Sequence, residues 1–219
     1  FRPVKMGAAT AIVLGTTLLS NFIGLARDKI IALHFGTSTA TDIYNASFLI
    51  PDMIFNLFVA GALTAAFMPV FSDYLEKDEE KSMRLANTMM NAMTGIIFIL
   101  ALFSFIFIHP LISFLFPNLS PDVQIEIAQM TRLMLPSAMI FAVSNILGNI
   151  LMSYKHFTSY SISPILYNIG IISGVIFLNE KFGIYSAAIG VLAGAVFHCA
   201  VRIIDARRTK YRYSFLLDI

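Results

Sequence analysis

One cysteine, Cys199, and no tryptophan occur in 219 residues. A single thiol cannot close an internal disulfide or build a thiolate metal cluster. Charge is scarce as well. Only 13% of the residues are Asp, Glu, Lys or Arg, against about a quarter in an ordinary soluble domain. The balance of 15 basic and 13 acidic residues is +2, which is no electrostatic footprint for nucleic acid. No HExxH, P-loop, GxSxG or Cys/His zinc spacing is present, so no metal, no cofactor and no catalytic set is expected. An intramembrane enzyme would need Asp52 and His198 brought together by folding, and nothing in their spacing argues for that. What is abundant is apolar: 58% of the residues are hydrophobic, 20 of them Phe, with a mean hydropathy of +0.78. A water-soluble globule cannot cover that much apolar surface, and disorder is excluded by the same figures. The medium is lipid.

A helix crosses a bilayer with about 20 apolar residues. Six stretches meet this, at about 7–34, 42–71, 86–108, 125–153, 159–178 and 183–203. Continuous runs such as residues 95–108 do not alternate, so the spans are helices rather than barrel strands. The fold class expected is an all-α polytopic membrane protein with six transmembrane helices. The first stretch is too long for a signal peptide and lacks a small-residue cleavage site. Eleven basic residues fall on one side of these spans: Arg2, Lys5, Lys77, Lys81, Arg84, Lys155, Arg202, Arg207, Arg208, Lys210 and Arg212. By the positive-inside rule both ends are cytoplasmic. Because the chain opens on Phe1 and stops after a basic stretch, it is expected to be a segment of a longer protein.

Polar groups at bilayer depth are costly and are kept where they face a bundle interior. Ser20, Gly24 and Arg27 share one face of the first helix, and Asn21 and Asp28 share the next. Two readings of Arg27 fit: it sits at the outer headgroups paired with Asp28, or a tilted, longer helix holds it deeper. On the second span Asn45, Asp52 and Asn56 fall at i, i+7 and i+11, across Pro51. A bend at Pro51 is expected, either lining a cavity or simply tolerated by packing. Asp42 reads as a first-turn helix acid. Asn145, Asn149 and Asn168 read as interhelical glue, and His198 as a satisfied interior histidine. Gly190 and Gly194 form a small-residue face that lets a neighbouring helix approach. The basic run 208–213 suits anionic lipid heads, or serves only as a topology signal.

The segment SNFIGLARDKIIALHFGTSTATDIYNASFLIPD (20–52) resembles the opening of the MurJ/MviN family of lipid II flippases. The matching residues are Ser20, Gly24, Arg27, Asp28, Phe35, Gly36, Thr41, Asp42 and Pro51. Further stretches at 60–74, 132–157, 163–169 and 183–196 are similar to later parts of the same family, in order. Three positions depart from it. Many members carry Arg after the matching Ser, where this chain has Asn21, and Arg four residues after the Pro, where it has Phe55. The family's Glu before Gly-Ala is Ala60 here.

The resemblance implies the N-terminal six-helix lobe of a two-lobed transporter of the multidrug/oligosaccharidyl-lipid/polysaccharide exporter superfamily, in the bacterial cytoplasmic (inner) membrane. Its partners would be the C-terminal lobe, membrane lipids, and lipid II or another undecaprenyl-diphosphate-linked glycan. The implied task is moving that precursor from inner to outer leaflet by alternating access. Cationic residues of a central cavity hold the diphosphate in the family, which maps that role onto Arg27, with Asp28 and Ser20 matching beside it; Asn21, Asn45, Asp52 and Asn56, read from their places on helix faces, are further candidate substrate contacts. Asp42, Pro51, Gly24, Gly190 and Gly194 would shape or gate the site. Two alternatives stay open: an exporter of a polysaccharide-lipid or drug, and a non-transporting scaffold for cell-wall enzymes.

Overall fold

A computed structural model describes residues 6–56 and 62–215. Among the described residues every regular element is helical: α1 (Met6–Phe35), α2 (Thr39–Ser47), α3 (Leu49–Phe55), α4 (Ala62–Lys77), α5 (Glu79–Ile106), α6 (Ile108–Leu115), α7 (Pro121–Ser153), α8 (Phe157–Phe182) and α9 (Tyr185–Ala206). A helix satisfies its own backbone, which a lipid-facing chain requires. Four helices, α5, α7, α8 and α9, are long and apolar enough to cross a membrane. The 30 residues of α1 reach about 45 Å. The pattern differs from six unbroken spans. The stretch expected at 42–71 is divided among α2, α3 and α4, with 57–61 outside the described residues. Short helix α6 occupies part of what reads in sequence as a loop.

The division of the second stretch has a local cause. Pro51 has no N–H to give to the Ser47 carbonyl. The helix is interrupted at Phe48, between α2 and α3. The Ser47 carbonyl instead accepts from the Thr131 hydroxyl of α7 at 3.3 Å. A buried carbonyl is thus satisfied across the helix interface. Elsewhere the turns are sharp. Gly36 (φ 65°) ends α1 and Gly183 (φ 53°) separates α8 from α9, both in the left-handed region that glycine tolerates. The Asp78 side chain caps α5 by accepting from the Lys81 N–H, and that bond holds its carboxyl below the usual carboxylate range.

Helix α7 runs through the middle, with Ile127, Met130, Met134, Ile146 and Ile150 buried against its neighbours. Ile99, Phe103 and Ile106 of α5 point outward, as suits a lipid-facing surface. The tightest seam joins α8 and α9. An added Cβ at Gly170 would collide with the backbone of Gly194, and one at Gly174 would lie 2.6 Å from the Cα of Gly190. Only glycine allows backbones this close.

Two stability predictions follow from these contacts. Gly190→Ala is expected to cost about 1–3 kcal/mol by overpacking, whereas Gly15→Ala, which meets nothing within 4 Å, leaves detergent melting unchanged. Equal melting of the two variants would contradict the seam. Thr131→Val is expected to cost about 1–3 kcal/mol by orphaning the Ser47 carbonyl. The same change in a Pro51→Ala background, where an N–H returns, should cost measurably less in a double-mutant cycle.

Candidate functional site

A cavity of about 530 Å³ opens between α1, α3, α7, α8 and α9. Ser20 and Asn21 face it from α1, and Pro51, Asp52 and Phe55 from α3. Ser137 and Asn145 line it from α7, Tyr160, Ser161 and Tyr167 from α8, and His198 and Arg202 from α9. A polar lining inside an apolar bundle is what a carrier of a charged headgroup requires, since ions enter hydrocarbon only at high cost. Asp52 on α3 and His198 on α9 both line this cavity. The His198 Nδ1 lies 2.8 Å from the Ser144 hydroxyl, so the ring is held by α7.

Arg27 stands just outside the lining. Its Nε and Nη2 donate to Asp28 at 2.9 and 2.8 Å, and its Nη1 donates to the Asn168 side chain at 2.9 Å. Asn168 also donates to the Ser20 carbonyl, tying α8 to α1. Asn168 lies eleven residues into α8, about 16 Å along it. The guanidinium therefore sits beside the middle of α8, not beyond the end of the bundle. Lysine would not do the same, because only the planar fork serves Asp28 and Asn168 together. Gly24 faces Asn168 at ordinary contact distance, 3.8 Å from an added Cβ.

The stripe on the second stretch is brought together only in part. Asp52 lines the cavity, whereas Asn45 and Asn56 are exposed on α2 and at the end of α3 and lie outside the lining. Asp42 is exposed in the first turn of α2. Gly190 and Gly194 sit away from the cavity, in the seam with α8.

Arg202 is the residue that loop counting misplaces. It reads as a basic residue at the cytoplasmic end of the last span, yet it lies within α9 and is only 2% exposed. Its Nε donates to the Ser163 hydroxyl at 2.9 Å and its Nη1 to the Ser144 carbonyl at 2.8 Å. Asp205, one turn on, is fully buried and bonded by His156 and Ser159. The available signal was the apolar run on both sides of Arg202: Ile203 and Ile204 follow it, so the span does not stop there.

A larger cavity of about 930 Å³ lies between α5, α7, α9 and residues 211–215. Its walls are mostly apolar, with Met90, Phe98, Met139, Ile203 and Phe215. The Arg212 Nη1 at its rim is already taken by the Thr209 and Tyr211 carbonyls. Arg207 also lines it, so two guanidinium groups border mostly apolar walls.

The chain is similar to known proteins over nearly its whole length. The family model described as lipid II flippase MurJ matches residues 31–218. A probable lipid II flippase MurJ of Borreliella burgdorferi is 31% identical over 190 residues, covering 87% of this chain and 37% of that protein. The lipid II flippase MurJ of Burkholderia cenocepacia is 27% identical over 200 residues, covering 89% and 39%. A solved lipid II flippase MurJ in an inward closed conformation superposes with a TM-score of 0.77 at 28% identity, covering 94% of this chain and 44% of that one. The chain thus spans less than half the length of these relatives. With the family model covering most of its residues and the same helical arrangement in the solved relative, this multi-pass membrane chain belongs to the lipid II flippase MurJ family.

Proposed function

We propose that the chain is the N-terminal lobe of a lipid II flippase in the bacterial cytoplasmic membrane. The lobe comprises residues 1–219, crosses six times at the stretches read from the sequence, and keeps both ends in the cytoplasm. It works against a C-terminal lobe, and rocking of the two around a shared site moves lipid-linked peptidoglycan precursor from the inner to the outer leaflet. The supporting observation is the polar cavity among apolar helices, with Ser20, Asn21 and Asp52 in its wall and Arg27 at its edge.

The chemistry follows from the substrate's polar end. A diphosphate cannot pass hydrocarbon unaided, and a guanidinium fork matches phosphate oxygens bidentately. Arg27 is 26% exposed, so an incoming headgroup can reach it. Its two bonds to Asp28 keep it neutralised until a stronger anion competes. Asp28 then serves as the resting counter-charge. Ser20 and Asn21 add hydroxyl and amide donors, and Asp52 accepts from sugar or peptide groups. Asn45 and Asn56, exposed outside the lining, are left for contact with the second lobe. Asp42 and the interrupted helix at Pro51 shape the cavity's mouth, while Gly24 lets α1 lie close to Asn168 and Gly190 and Gly194 hold α9 in place.

The test is leaflet-resolved accessibility of lipid II in cells or vesicles carrying the complete protein. Arg27→Ala is expected to slow flipping by about 10-fold or more, the loss of charge-assisted hydrogen bonds worth roughly 1.5–3 kcal/mol. Membrane insertion should be unchanged. Full flipping by that variant removes Arg27 from the site, and absence of lipid II movement by the unmodified protein overturns the assignment of substrate.

A further inference from the structure

Arg202 is a buried cation without a carboxylate. Its guanidinium is gripped on all sides by neutral groups: the Ser163 hydroxyl, the Ser144 carbonyl, the Asn145 side-chain oxygen at 3.4 Å and the Tyr160 carbonyl at 3.5 Å. Among the described residues no Asp or Glu comes within ion-pair distance of it. Asp205 on the next turn is committed to His156 and Ser159. A guanidinium has five N–H groups, and these four bonds leave one proton of Nη2 without an acceptor.

The seat is built for this group. The Tyr160 ring lies 4.8 Å from the guanidinium carbon and covers one face. Gly148 of α7 leaves room beside both groups, since an added Cβ there would lie 2.6 Å from Nη1, 3.0 Å from Cζ and 3.1 Å from the Tyr160 ring. Such a pocket holds the fork in one orientation, at the wall of the 530 Å³ cavity. Arg202 is the one Lys or Arg among the described residues of that wall, which Asn21 and Phe55 also line. A charge kept from water and from any counter-ion is costly, and a second charge of opposite sign in the cavity relieves the cost.

We propose that Arg202 binds the diphosphate of a polyprenyl-linked substrate, reading it from the α9 side of the cavity while Arg27 serves the α1 side. This rests on the assignment of a lipid-linked diphosphate as cargo. Arg27 carries its own counter-ion in Asp28, so the two cations differ in kind. Arg27 must exchange a partner to bind, whereas Arg202 gains one. Occupancy of the cavity by a diphosphate therefore stabilises the α7–α8–α9 corner through Ser144, Ser163 and Tyr160.

The experiment measures binding of undecaprenyl diphosphate and undecaprenyl monophosphate to the complete protein in nanodiscs, with lipid II flipping as a parallel readout. Arg202→Gln should lower the preference for diphosphate over monophosphate by about 10-fold. A purely structural role would weaken both ligands alike. Gly148→Ala, which keeps the charge but takes its seat, should lower the same preference, and Arg202→Lys should restore part of it. If the unmodified protein flips lipid II and Arg202→Gln keeps the full preference, the proposal fails and the flippase assignment stands. If the preference depends on Arg202 but lipid II is not moved, the proposal stands and the cargo is a different diphosphate lipid. Absence of diphosphate binding by the unmodified protein overturns the proposal, and lipid II flipping then decides the flippase assignment by itself.

Discussion

The backbones of α8 and α9 lie against each other at Gly170, Gly174, Gly190 and Gly194, and much of the remaining geometry depends on that approach. In lipid there is no hydrophobic force to pull helices together, so close van der Waals contact and interhelical hydrogen bonds must do it. The seam draws α9 down onto α8. That places His198 and Arg202 opposite Ser144, Asn145 and Gly148 of α7, and beside Tyr160 and Ser163 of α8. A side chain in the seam would part the helices and lift Arg202 from its pocket. The small residues therefore act on the site from a distance, by setting how near two backbones come.

Polar groups in this bundle fall into two kinds. Some close defects of the backbone, as Thr131 does for the carbonyl freed by Pro51. Others face open space. Ser20, Asn21, Asp52 and Asn145 belong to the second kind. The interruption at Phe48 connects the two. Beyond it, α3 presents Pro51, Asp52 and Phe55 to the cavity, the i, i+1 and i+4 positions of one helix face.

Much of this architecture is legible in the sequence, for reasons that can be named. Long apolar runs force helices because lipid leaves no other way to satisfy the backbone. The bend at Pro51 follows from a missing N–H, and the role of Gly190 and Gly194 from their spacing on one face. Helical spacing places Asn45, Asp52 and Asn56 in one stripe. That spacing assumes a continuous helix: the interruption at Phe48 separates Asn45 from it, Asn56 ends α3 exposed, and Asp52 lines the cavity. Arg202 was read as a topology signal because positive charge near a span end has two meanings, and sequence does not say which way the side chain turns. Only its partners on α7 and α8, 58 and 39 residues away, decide that. Gly148 was illegible for the same reason: its purpose is the volume of a side chain on another helix.

The central claim is that the cavity between α1, α3, α7, α8 and α9 receives the headgroup of the transported lipid. Single cysteines in the complete protein, in a Cys199→Ser background, test it through labelling by a membrane-impermeant maleimide with and without lipid II. Asn21→Cys and Ser161→Cys, both in the cavity wall, should label and should be protected by lipid II. Phe22→Cys, on the outward face of α1 at 68% exposure, should show no such protection. Labelling at positions 21 and 161 that lipid II leaves unchanged would contradict the account.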